Sequence, residues 1–312
     1  MTGIMFRKLY KPLLILGIIL TFSTLPVFWL AYSATQDLEV DFLDVGQGDA
    51  ILIKTPANQN ILIDGGPDSA VIKRLSENLP WWDKTIDLMI LTHPHDDHVN
   101  GLNDVIRRYN VKKILYTGVI HSSPGFLTWL ELIRDRQIPL VIIDRPQKII
   151  LGEECYLDFL YPMESVLGKN VDNLNNSSIV AKLVYGQTSF LLMGDAEVEV
   201  EKELLNLAPG PSPLEGEGGT IRQLAESRGE VNLQANVLKV GHHGSDTSSS
   251  QEFLEAIKPE ITIIQVGADN DFGHPNLRIL KRLERLGIKT FRTDLDGTIR
   301  VVSNGIKLTY NP

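Results

Sequence analysis

The apolar positions of this chain change rhythm along its length. From residue 12 to residue 32 no charge interrupts an apolar run, about the length that a membrane-spanning helix needs. Arg7, Lys8 and Lys11 flank it on the N-terminal side. A basic flank is expected to stay cytoplasmic, placing residues after about Thr35 on the outer side. Ala31-Tyr-Ser33 resembles a signal-cleavage site, yet the run is long for a signal peptide. An uncleaved membrane anchor over residues 1–35 is therefore expected, with cleavage and secretion as the alternative.

From residue 38 short strand-like runs take over, at 38–45, 50–54 and 60–63. Gly46-Gln-Gly48 and Pro56 to Asn60 supply the turns. A helix is expected over 69–78 and a strand over 86–91. Strands and helices then alternate: helices at 101–109 and 126–136, strands at 113–116, 140–143, 148–151 and 156–160. A hairpin of 178–185 and 189–193 ends at Gly194-Asp195, before a helix at 196–207. Residues 208–219 are rich in Pro, Gly, Ser and Glu and cannot supply a core. A flexible insertion is expected at about 208–220, with a plain surface loop favoured over a substrate-covering lid. Order resumes with a strand at 235–240, a helix at 250–257, a strand at 261–266, a helix at 276–286 and strands at 289–292, 298–302 and 307–309. Residues 36–312 thus make one domain.

Composition narrows the picture only a little. With 43% hydrophobic and 22% charged residues the chain is globular. The net charge of −9, more negative still without the N-terminal basic flank, argues against broad binding to nucleic acid through a basic surface. Cys155 is the single cysteine, so no internal disulfide forms, and a buried small apolar role suits it.

The chemistry lies in the histidines. Seven occur, and six of them fall in three short loops after apolar strands: His93, His95 and His98, then His242 and His243, then His274. Strand-end loops are where layered α/β folds build sites. His93-Pro-His95-Asp-Asp97-His98 crowds three imidazoles and two carboxylates together at the end of a buried strand. A divalent metal is the natural compensator, and this donor set suits zinc, manganese or iron. His121 has no motif around it and reads as structural or surface. Trp81-Trp82 is expected to pack beside the 86–91 strand.

Phe42 to Ala50 (FLDVGQGDA), Leu62 to Gly66 (LIDGG), Leu91 to His98, Asn175 to Ser178 (NNSS), Leu192 to Asp195 (LMGD), Leu238 to Ser245 (LKVGHHGS) and Gly273-His-Pro275 follow one another in this order. Together they resemble the metallo-β-lactamase superfamily and, within it, the hydrolase domain of ComEC-type competence proteins, over residues 38–310. The resemblance implies an α/β fold, an αββα sandwich with the site on one edge, here preceded by one N-terminal hydrophobic helix. It also implies one or two divalent metals, Zn or Mn. By resemblance His93 and His95 ligate the first, Asp97 and His98 the second, Asp195 bridges both, and a hydroxide sits between them. Of the adjacent pair, His242 is expected to complete the second site, leaving His243 or His274 to protonate the leaving oxygen. Asp64 is expected to orient a metal-bound histidine. Asn175 and Ser178 occupy the position where many relatives supply a further histidine, which leaves the first site one ligand short. Lys239 and Ser245 are candidate oxyanion or phosphate contacts. The implied reaction is extracytoplasmic phosphodiester hydrolysis, with DNA handled during uptake as a substrate. Hydrolysis of an ester, lactam or thioester, or a tethered binding module without turnover, are the alternatives. ComEC-type proteins carry a many-helix channel where this chain has one apolar segment, so a stand-alone relative with a different substrate is also in view.

Overall fold

The computed structural model describes Leu14, residues 37–207 and residues 231–311. The expected anchor, apart from Leu14, and the insertion at about 208–220 lie outside the described residues. Among the described residues no helix is long and apolar enough to cross a membrane.

Residues 37–312 form one compact unit. In chain order its elements begin with β1 (Leu38–Phe42), β2 (Ile51–Lys54), β3 (Asn60–Ile63), α1 (Ala70–Asn78), β4 (Thr85–Ile86), β5 (Leu88–Ile90), α2 (Asp96–Arg108), β6 (Asn110–Val111) and β7 (Ile114–Tyr116). There follow α3 (Pro124–Arg136), β8 (Leu140–Ile142), β9 (Gln147–Gly152), β10 (Cys155–Tyr161), β11 (Val180–Tyr185), β12 (Thr188–Leu192), α4 (Val198–Leu205), β13 (Val237–Lys239) and α5 (Gln251–Ile257). The chain closes with β14 (Ile261–Ile264), α6 (Leu277–Arg285), β15 (Lys289–Arg292), α7 (Thr293–Asp296), β16 (Ile299–Ser303) and β17 (Leu308–Asn311).

One sheet has the order β17-β16-β1-β2-β3-β5-β7-β8 and the other β15-β14-β13-β12-β11-β10-β9. Strand alternation divides the apolar residues among three layers. Ile51, Ile53, Ile61 and Ile63 of the first sheet meet Leu183, Phe190, Leu192 and Val237 of the second in a central core. The residues between them in sequence point outward: Leu52 and Leu62 pack with Val99 and Leu102 of α2, and Leu191 and Leu238 pack with Val200 of α4 and Phe253 of α5. Strands buried on both faces need no polar alternation, and this layering is the expected αββα sandwich.

Direction decides where chemistry can sit. β1 is antiparallel to β2, and β2 to β3, whereas β3, β5 and β7 are mutually parallel. β12, β13 and β14 are parallel as well. The C-terminal ends of β1, β3 and β5 therefore share one edge, and the loops that follow them meet those after β12, β13 and β14.

Two local readings differ from expectation. Helix α2 starts at Asp96, with His95 as its N-cap, five residues before the expected start. Asp96 and Asp97 occupy its first turn, where the helix dipole favours acids, so Asp97 and His98 ride on a helix rather than a loop. Trp81 and Trp82 do not pack beside β5. They are 81% and 69% exposed, edge to face with centroids 5.5 Å apart, because a turn closed by Asp83 N–H donating to the Pro80 carbonyl carries them off the body.

Candidate metal centre

Four side chains converge where the two sheets' loops meet. Asp97, His98, Asp195 and His243 each offer a ligand atom, all within 4.8 Å of one another. Asp195 follows β12 and sits in the middle: its Oδ2 lies 3.3 Å from His98 Nε2, 3.4 Å from His243 Nε2 and 3.8 Å from His93 Nε2. Asp97 closes the group, with Oδ2 3.3 Å from His243 Nε2 and Oδ1 3.9 Å from His98 Nε2. Burial opposes the charge on Asp195, but the imidazoles of His243 and His98 outweigh it and hold the carboxyl well below its usual range.

The groups behind this cluster aim it. The Asp64 carboxylate accepts the Thr92 backbone N–H at 2.8 Å and the Thr92 hydroxyl at 2.7 Å. It also lies 2.8 Å from His98 Nδ1, which turns His98 Nε2 toward Asp195. His243 is treated likewise, its Nδ1 lying 2.9 Å from the Gln265 carbonyl and 3.3 Å from Asp49 Oδ1. Carboxylates and carbonyls behind a ligating imidazole are the usual means of fixing its tautomer and direction. Lys239 is fully buried, ion-paired with Asp49, and donates to the Gly194 carbonyl at 2.8 Å. Asp49, Asp195 and Asp64 overcome the cost of burial and keep its amine above the ordinary lysine range.

The remaining histidines divide into two sets. His93 Nε2 lies 3.0 Å from His95 Nδ1, and burial, reinforced by His98, depresses the basicity of His93 strongly. His93 stands beside Asp195, and His95 is stacked edge to face on His93. His121 comes within 6.3 Å of the His95 ring, centroid to centroid, at the rim. On the other side His242 leaves the cluster: its Nδ1 lies 2.9 Å from Glu197 Oε1 and 3.2 Å from Thr247 Oγ1. His274 stands 5.3 Å from the His242 ring, centroid to centroid. Burial and the two neighbouring imidazoles lower His274 to about 4.

A family model of the metallo-β-lactamase superfamily matches residues 43–267, most of the chain. The chain belongs to that superfamily. It is 28% identical over 284 residues to ComE operon protein 3 of Bacillus subtilis, covering 84% of this chain and 32% of that protein. It is 29% identical over 266 residues to competence protein ComA of Neisseria gonorrhoeae, covering 85% and 32%. It thus spans about a third of these relatives' length. Among solved structures, the metallo-β-lactamase fold protein YhfI of B. subtilis is similar in fold, with a TM-score of 0.51 at 12% identity over 82% of this chain and 96% of that one.

Within this metallo-β-lactamase site the adjacent histidines do not take their expected positions. His243 joins the cluster and His242 does not, because both backbones are left-handed, at φ 51° and 46°, and successive side chains on such a turn point to different sides. Nor do Lys239 and Ser245 face a substrate. Lys239 belongs by alternation to the inner face of β13, and the Ser245 hydroxyl pairs with Thr247 Oγ1 at 3.0 Å. Ser178 lies behind the cluster: its hydroxyl is 3.3 Å from His93 Nδ1 and accepts the Asp195 backbone N–H at 3.1 Å. Asn175 donates to Glu197 Oε1 at 3.0 Å. Sequence reasoning passed over Asp49, Glu197 and Gln265. Only Asp49 carried a signal, as an acid between a glycine turn and a buried strand.

The donors fit a divalent ion. His98 Nε2, His243 Nε2 and Asp195 Oδ1 are buried without a hydrogen-bond partner, an expensive arrangement for polar atoms unless a cation is their partner. A mixed set of imidazole nitrogen and carboxylate oxygen is that of divalent transition metals.

Proposed function

We propose that this chain is a metal-dependent hydrolase of phosphodiesters, DNA among them, working on the extracytoplasmic side of a membrane. The observation that carries the reading is the convergence of Asp97, His98, Asp195 and His243, with His98 Nε2, His243 Nε2 and Asp195 Oδ1 buried and unpartnered. The name of one relative, competence protein ComA, supports a nucleic-acid substrate.

Zn or Mn held there would supply positive charge to polarise the scissile group and to lower the proton affinity of an attacking water. His98, Asp97, Asp195 and His243 would hold one ion, and His93 and His95, with Asp195 shared, a second. Asp64 and Asp49 keep His98 and His243 turned inward, so no reorientation is needed during turnover. With its basicity lowered to about 4, His274 is neutral near pH 7. It therefore carries no imidazolium proton to give to a leaving group. His242, held by Glu197, is left for the leaving-group side.

The test is a substrate panel on the purified full chain, with manganese, with zinc and with chelator. Metal-dependent cleavage of bis(p-nitrophenyl) phosphate and of single- or double-stranded DNA is expected. Turnover of a β-lactam or thioester with none on any phosphodiester would contradict the assignment.

A further inference from the structure

The edge of the sandwich opposite the metal centre carries apolar groups that the hydrolase reading does not use. Trp81 and Trp82 are 81% and 69% exposed, and Ile306 is 65% exposed. Hydrogen bonds fix where the tryptophan turn sits. Just before it, the Asn78 carbonyl accepts from Lys54 Nζ at 3.4 Å, and Asn78 Oδ1 accepts from Arg300 at 2.7 Å. Just after it, Asp83 accepts from the Asn60 amide at 2.7 Å. Lys54 is the last residue of β2, opposite Glu39 near the start of β1, and Asn60 is the first of β3. Ile306 lies in the β16–β17 turn, just beyond Ser303, which pairs with Leu38. The tryptophan turn and the Ile306 turn therefore lie along one edge, at the N-terminal ends of β3 and β1, whereas Asp64, His98 and Asp195 follow the C-terminal ends of their strands.

The same edge is where the chain enters the domain. Residue 37 immediately precedes β1, and upstream of it lies the uncharged run 12–32. We infer that the edge formed by Trp81, Trp82 and Ile306 docks on a lipid interface, so that the metal centre faces away from the bilayer. Indoles favour the headgroup boundary, where an apolar ring and a polar N–H are both satisfied. Two cations at this edge are paired within the domain, Lys54 with Glu39 and Arg300 with Asp41 at 2.5 Å, and on a zwitterionic bilayer the exposed Lys84 and Lys307 meet no net charge, so the contact is apolar. With β1 five residues long, the strand alone separates the two edges by about 17 Å. The inference rests on the anchor reading of residues 12–32 and is independent of the bond hydrolysed.

The experiment uses the full chain carrying Trp29→Phe, reconstituted in phosphatidylcholine vesicles whose acyl chains are brominated near the headgroup. Trp129 is fully buried and serves as the shielded internal reference. Quenching of about half the tryptophan emission, unchanged by high salt and abolished by Trp81→Ser with Trp82→Ser, is the expected result. Circular dichroism of the double variant confirms folding. An anchored chain whose indoles stay open to acrylamide and escape the brominated lipid overturns the docking. A protein that does not associate with vesicles overturns the anchor and the docking together. Loss of metal-dependent hydrolysis with quenching intact would contradict the proposed function and leave this inference standing.

Discussion

His242 and His243 are the same residue type one position apart, yet the fold gives them opposite surroundings. His243 is buried against Asp49, Asp97 and Asp195, with Nε2 unpartnered. His242 faces Glu197 and Thr247 and is partly exposed. Metal analysis should separate them: His243→Ala is expected to lose metal stoichiometry, and His242→Ala to keep it. Equal loss in the two variants would contradict the placement. Sequence could not resolve this pair, since both fit the motif. The choice depends on two left-handed backbones in succession, which no local pattern of residue types announces. Asp64, by contrast, was legible through the family resemblance, which assigns it to a metal-bound histidine; an acid before Gly65-Gly66 taken alone reads as a turn residue.

At the scale of elements, strands and helices followed from apolar periodicity, and β3 and β15 match expectation residue for residue. The start of α2 did not. Asp96 and Asp97 look like loop residues or ligands to a reading centred on metal chemistry, and they are also acids suited to a helix N-terminus. The β1–β2 loop then presses on that turn: a Cβ at Gly48 would overlap the Asp97 carbonyl oxygen, and Asp49 N–H donates to the same oxygen at 3.3 Å. β13 shows the same limit. Its alternation places Lys239 between the sheets, but a lysine in the sequence suggests an exposed contact. Lys239→Met should leave Asp49 as an uncompensated buried charge, costing about 3–5 kcal/mol in denaturant unfolding, and should weaken metal binding about 10–100-fold. Adding Asp49→Asn is expected to restore most of the stability without restoring metal affinity, because Asp49 also supports His243. A Lys239→Met protein as stable and as metal-avid as the parent would contradict this arrangement.

For the whole molecule, the two stacked sheets make one edge chemical and leave the other to meet whatever lies beside the entering chain. Parallel strands deliver residues far apart in sequence, from Asp64 to His243, to one place. An ion bound only in the folded state then stabilises the entire sandwich by mass action. The most direct test of the central claim is the metal content of the full chain after chelation and reloading with zinc or manganese, measured beside Asp195→Asn. The parent is expected to retain at least one ion per chain and to melt at a higher temperature when loaded, with both effects lost in the variant. A variant that loads and stabilises like the parent would show that the ion is not held by the Asp195 cluster.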